Sequence, residues 1–106
     1  MGSILEKPVI TPADGAALIR DGQTLAIGGS GAGHAIPERM LEAIGERFAR
    51  TRGPRLLTLV HPFGVGDQKT RGLEHVAPYP ELFKRVVGGH WSMAPSMAKQ
   101  AALNLF

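Results

Sequence analysis

The strongest constraint on this chain is a ten-residue turn, Gly28, Gly29, Ser30, Gly31, Ala32, Gly33, His34, Ala35, Ile36 and Pro37. It sits between an apolar run at 24–27 and an amphipathic stretch that begins at Pro37. Glycines lack Cβ atoms, so their backbone takes positive φ and lets a bound group approach closely. The amide donors of such a turn also point the same way as the positive end of the helix that follows. A strand, a glycine turn and a helix in that order mark where α/β proteins hold ligands, and the guest that suits the turn is an anion, a carbonyl oxygen or a phosphate. The same glycines also let strand and helix pack closely, so pocket lining and plain turn geometry both remain open.

The flanking elements repeat this order. Thr11, Pro12 and Asp14 read as an N-cap, a first-turn proline and an acid at N3, which predicts a helix over 12–20 stopped by Asp21-Gly22. Residues 24–27 read as a strand buried on both faces. Met40, Leu41, Ile44 and Phe48 form one stripe of a helix over 37–51, ended by Gly53-Pro54. Residues 55–61 are the strongest strand, followed by a second glycine turn with Gly64, Gly66 and Asp67. Short helices are expected at 72–76 and 80–83. A third strand over 84–89 ends in Gly88, Gly89, His90 and Trp91, and a last helix begins at Pro95 and is still running at Leu105-Phe106. The expectation is an α/β fold with a parallel sheet and helical crossovers, whose three strand ends carry glycine turns to one edge.

Composition removes several functions. The sequence has 106 residues, no cysteine and a net charge of +3, which leaves out disulfides, thiolate zinc sites and a cysteine nucleophile. The basic excess is mild and lacks interleaved aromatics, so nucleic acid is not an expected partner. Arg47, Arg50, Arg52 and Arg55 gather where a helix ends and cations suit its dipole. No run approaches the ~20 apolar residues of a membrane span, and no signal peptide is legible, so the expected setting is cytoplasmic, away from membranes. His34, His61, His75 and His90 lack metal-ligand spacing, and no metal is expected. A crossover needs ~30 residues, so this length supplies few strands, and a piece of a larger protein is expected.

Generic nucleotide motifs fail. After Gly29 and Gly31 the third glycine of a dinucleotide fingerprint is replaced by His34, and no Gly-Lys-Ser/Thr completes a Walker loop. What the chain resembles, from about Lys7 to its last residue, is the start of a family I coenzyme A transferase of the acetate, propionate or acetoacetate type. The residues that carry the resemblance are Asp21 to Gly29, Ile36-Pro37-Glu38, Leu57 to Val60, Gly66-Asp67 with Arg71-Gly72-Leu73, and Val86 to Trp91. Ser30 stands where the family commonly has Phe, and the interval from Gly29 to Pro37 is about one residue longer than its usual pattern.

The resemblance implies a partial Rossmann-like domain of the NagB/RpiA/CoA-transferase kind, with residues 1–106 forming the N-terminal part of the first domain. The family's nucleophile is a glutamate in a Ser-Glu-Asn-Gly-like motif of the second half, and no such motif occurs here. It also implies coenzyme A as a substrate and no separate cofactor. The implied partners are an acyl-CoA, a carboxylic acid and the remainder of the enzyme, which is expected to be a homo-oligomer. The implied pocket residues are Gly28, Gly29, Ser30, Gly31, Ala32, Gly33, Gly66, Asp67, Gly88 and Gly89, none of them the nucleophile. Asp21 is read as a turn acid, Trp91 as core or interface, and Glu6, Glu38, Glu42, Glu46, Glu74 and Glu81 as caps or surface acids. A nucleotide-binding module without chemistry, or an assembly segment with an exposed sheet edge, are the competing readings.

Overall fold

A computed structural model describes residues 7–29 and 35–106. Thr11 caps the first helix, α1 (Pro12–Ala17), by accepting the Asp14 N–H on its Oγ1 at 3.1 Å. The helix ends before the expected Arg20. Leu18 and Ile19 donate to carbonyls three residues back, and the Gln23 side chain takes the Arg20 N–H at 2.8 Å. Gly22, at φ +78°, then turns the chain into strand β1 (Thr24–Ala26).

Helix α2 (Glu38–Thr51) buries Leu41, Ile44 and Phe48 on the face that the apolar stripe marks, with Met40 packed at its margin. It closes on Arg52, which is left-handed at φ 62° and sends its N–H to the Phe48 carbonyl at 2.8 Å. Strand β2 (Leu57–His61) starts two residues later than expected, because Leu56 is left-handed at φ 59° and breaks the extended run. Short 3₁₀ turns occupy Leu73–His75 and Pro80–Leu82, followed by strand β3 (Phe83–Gly88) and helix α3 (Pro95–Ala102).

The three strands form one parallel sheet in the order β1-β2-β3, with Leu25 opposite Leu59 and Leu59 opposite Val86. Leu57, Leu59 and His61 point into the core formed with Leu41, Ile44, Phe48, Val65, Leu73 and Met97. Strand β1 corrects one expectation. It is an edge strand whose Thr24 and Ala26 are exposed and whose Leu25 is only half-buried, so it is not covered on both faces.

The end of α3 corrects another. Asn104 is left-handed at φ 57° and sends its N–H to Ala101, while Leu105 sends its N–H to Gln100. That pair of bonds is a Schellman cap with asparagine in the place glycine usually takes, and it stops the helix at Ala102.

Candidate functional site

Because the strands are parallel, β1, β2 and β3 all release their chains at one edge of the sheet. The loops after β2 and β3 are locked together there. Gly89 donates its N–H to the His61 carbonyl at 3.0 Å, and Gln68 donates its N–H to the Met93 carbonyl at 2.9 Å. Four glycines allow this close approach. A Cβ on Gly64 would collide with the His90 ring, on Gly66 with the Met93 carbonyl, on Gly88 with the His61 ring and on Gly89 with the Pro62 carbonyl. Residues 62–68 and 88–93 therefore form one wall, with Gly88 and Gly89 against its His61–Pro62 end and Gly66, next to Asp67, against its Met93 end.

Gly28 and Gly29 join the same edge from β1, where Ile27 donates its N–H to the Val60 carbonyl at 2.8 Å. Gly29 is at φ +152° and a Cβ there would stand 2.5 Å from the Ala35 carbonyl oxygen, so turn geometry alone demands glycine. Gly28 is different: it is exposed, its backbone lies outside the left-handed region, and among the described residues nothing lies within 4 Å of its missing side chain. Beside it, Leu25, Ile27, Pro37, Met40 and Ile44 line a cavity of about 180 Å³. A larger depression of about 280 Å³, between α3 and Pro78, lies away from the strand ends and brings none of the glycine turns together. Ser30, Gly31, Ala32 and Gly33 lie outside the described residues.

Asp67 organises the wall. One carboxylate oxygen accepts the N–H groups of Lys69, Thr70 and Arg71 at 2.9, 3.0 and 3.1 Å. The Arg71 N–H first, then those of Lys69 and Thr70, hold its carboxyl below the usual aspartate value. Asp21, read as a local turn acid, sits in the turn before Gly22 but accepts the N–H of Arg55, 34 residues away, at 2.9 Å, and so ties that turn to the entry of β2. Arg52 and Arg55 both reach Glu81 at 3.5 and 3.4 Å, an exposed cluster at a helix end.

Two residues of the site escape the sequence reading. Glu38 is more than a surface acid: its carboxylate accepts the Gly72 N–H at 2.8 Å and lies 2.6 Å from His75 Nε2. Burial works to raise its pKa, but the Gly72 hydrogen bond, the His75 imidazole and the charge of Arg71 outweigh it and leave the group lowered. His61 is 1% exposed, and its Nδ1 donates to the Phe63 carbonyl at 2.7 Å, since a carbonyl can only accept. Its Nε2 and the Trp91 Nε1 are buried without a hydrogen-bond partner among the described residues. Only the position of Glu38 in the Pro-Glu pair at a helix start could have signalled its role. Among the described residues no group of three or more metal-ligating side chains gathers, and no helix is long and apolar enough to cross a membrane.

The described residues form an α/β unit with glycine turns along the carboxyl edge of a parallel sheet, the edge where ligands gather in open sheets of this class. No family model matches the sequence. Individual proteins do: acetate CoA-transferase YdiF of Escherichia coli strain K12 is 30% identical over 97 residues, which span 92% of this chain and 18% of the relative. YdiF of E. coli O157:H7 gives the same figures. The crystal structure of the O157:H7 acyl-CoA transferase in a thioester complex with CoA superposes with a TM-score of 0.87 at 29% identity, covering 93% of this chain and 19% of that one. Its apoenzyme matches equally well. The chain is similar in sequence and fold to one segment of these CoA-transferases, and it spans about a fifth of the length of the relatives it matches.

Proposed function

We propose that this chain is the N-terminal part of the first domain of an acyl-CoA:carboxylate CoA-transferase, and that it forms one wall of the acyl-CoA pocket. The observation that carries the reading is the single sheet edge where three strands end in glycine turns, in a fold that matches a CoA thioester complex at a TM-score of 0.87. Gly28, Gly29 and the joined loops bearing Gly66, Asp67, Gly88 and Gly89 face the ligand on this reading, with backbone N–H groups offered to the thioester oxyanion. Exposed apolar side chains, Phe63 at 54%, Val87 at 43% and Leu103 at 60%, support packing against the remainder of the enzyme. The complete protein is proposed to be a cytoplasmic homo-oligomer acting on short-chain acyl groups.

The chemistry proceeds by exchange on a glutamate that lies outside these residues. Its carboxylate attacks the acyl-CoA carbonyl and expels CoA thiolate, giving an acyl-glutamyl anhydride. The thiolate then attacks the glutamyl carbonyl, releasing the first carboxylate and leaving a glutamyl-CoA thioester. An incoming carboxylate repeats both steps in reverse and restores the glutamate. Carboxylate is a weak nucleophile, so positioning and oxyanion stabilisation supply the acceleration, and that is the part assigned to the glycine edge.

The test is an assay with acetyl-CoA and a second carboxylate. The 106-residue chain alone is expected to be inactive and to gain activity when the remainder of the enzyme is supplied. Turnover by the chain alone would overturn the reading.

A further inference from the structure

Glu38 is the first residue of α2, and its N–H is bonded to the Ile36 carbonyl at 2.9 Å, so its backbone is fixed to the exit of the 28–37 turn. Its side chain crosses to the other side of the site. Oε1 accepts the Gly72 N–H and Oε2 meets His75 Nε2, with the side chain only 29% exposed. Gly72 in turn forms an antiparallel bridge with Gly66, and Leu73 donates its N–H to the Val65 carbonyl at 3.0 Å. Gly66 abuts the Met93 carbonyl in the loop after β3. A continuous chain of contacts therefore runs from the glycine turn through one carboxylate to the wall formed by the other two strand-end loops.

We propose that Glu38 is a positioning residue that sets Ile36 and the start of α2, where the chain leaves the turn, against that wall. It touches no reacting atom. On the reading given above, its effect on the ligand passes through the spacing between the two glycine-lined sides of the pocket. The charge on the carboxylate matters less than its reach and its two acceptor oxygens. A Gln side chain preserves the length, keeps an oxygen for Gly72 and offers an N–H to His75. Ala and Asp cannot span the gap.

Amide hydrogen exchange on the 106-residue chain, read residue by residue without CoA, tests the clamp independently of the transferase reading. Glu38→Ala is expected to speed exchange at Gly72 and across 64–72 by about tenfold or more, since a charge-assisted bond to a partly buried amide is lost. Leu59 in the central strand should change less than about twofold, and Glu38→Gln should bring Gly72 back to within about threefold of the parent. Should Glu38→Ala fail to fold, Glu38→Asp carries the same expectation.

Unchanged exchange at Gly72, equal acceleration at Leu59, or failure of Gln to restore protection would each overturn the proposal. A CoA titration of the parent chain separates the two ideas. Absence of shifts at Gly28 and Gly29 would count against the pocket reading and leave the clamp to be judged by exchange alone.

Discussion

Gly72 backs onto Gly66 so closely that a Cβ on Gly72 would stand 2.6 Å from the Gly66 Cα and 2.5 Å from the Val65 carbonyl oxygen, at a φ of +68°. No L side chain meets both demands without moving the loop that carries Asp67. Gly72→Ala is therefore expected to cost about 2 kcal/mol or more, combining left-handed strain with a backbone clash. Gly22 provides the control, since at φ +78° it has nothing within 4 Å among the described residues. Gly22→Ala should cost only about 1 kcal/mol, the strain alone. Chemical denaturation of the two variants checks the difference. Equal costs would mean that the contact with Gly66 contributes nothing.

Phe48 anchors the core at the other end of α2. Its ring is 1% exposed, lies 5.3 Å from the Tyr79 ring and is capped by the Arg52 guanidinium 5.0 Å from its centroid. Truncation removes both the apolar area and a fixed partner for two neighbours. Phe48→Ala should destabilise the fold by about 3–5 kcal/mol, a large part of the ~5–15 kcal/mol that holds a domain together. Phe48→Leu, which refills most of the space, should cost less than half as much. Thermal melts followed by circular dichroism distinguish these outcomes.

What could be read in the sequence was what local chemistry decides. The Thr11 cap, the stripe of Leu41, Ile44 and Phe48, and the glycine turns after three apolar runs fix the elements, and the parallel order follows from their alternation. What could not be read depends on partners distant in the chain. Thr24 and Ala26 are exposed because their face of the sheet is left open among the described residues, with Thr58 and Val60 beside them half-buried and Arg85 and Val87 exposed, and the residues at 24–27 carry no information about what covers that face. The end of α3 turns on Asn104 adopting a left-handed conformation that an apolar tail conceals. Glu38 resembles any first-turn acid until Gly72 and His75, 34 and 37 residues away, come to meet it. Gly45 is another case: it sits in mid-helix because the His75 carbonyl presses against α2 there.

The Glu38 contacts also set a pH dependence. The carboxyl has a lower pKa in the fold than its usual value of 4.5, so the folded state favours the ionised form. The resulting stability is complete above that usual value and is lost as pH falls below it, through the lowered folded pKa. Asp67 is lowered from 3.8 by its three backbone donors and works in the same direction at still lower pH. The contribution of Glu38 and Asp67 to the denaturation midpoint should therefore be constant above about pH 5 and fall below it. In Glu38→Gln the fall should be shallower and begin at lower pH. An identical acid limb in parent and variant would show that other carboxyls dominate.

Gly28 and Gly29 offer the sharpest separation of pocket from turn. Gly29→Ala forces a side chain into the Ala35 carbonyl at a φ of +152°, so it should destabilise the chain by about 2 kcal/mol or more whatever the edge binds. Gly28 has open space among the described residues and an ordinary backbone, so Gly28→Ala should change stability by less than about 0.5 kcal/mol. If Gly28 faces the acyl-CoA, however, a methyl group there occupies the volume through which the backbone approaches the ligand. In the assembled transferase, Gly28→Ala is then expected to raise the KM for acyl-CoA about tenfold, the equivalent of 1.4 kcal/mol, with an unchanged melting temperature. Steady-state kinetics paired with a melt decides between the roles. An unaltered KM would remove Gly28 from the pocket, and only a lowered melting temperature beside it would assign the glycine to turn geometry.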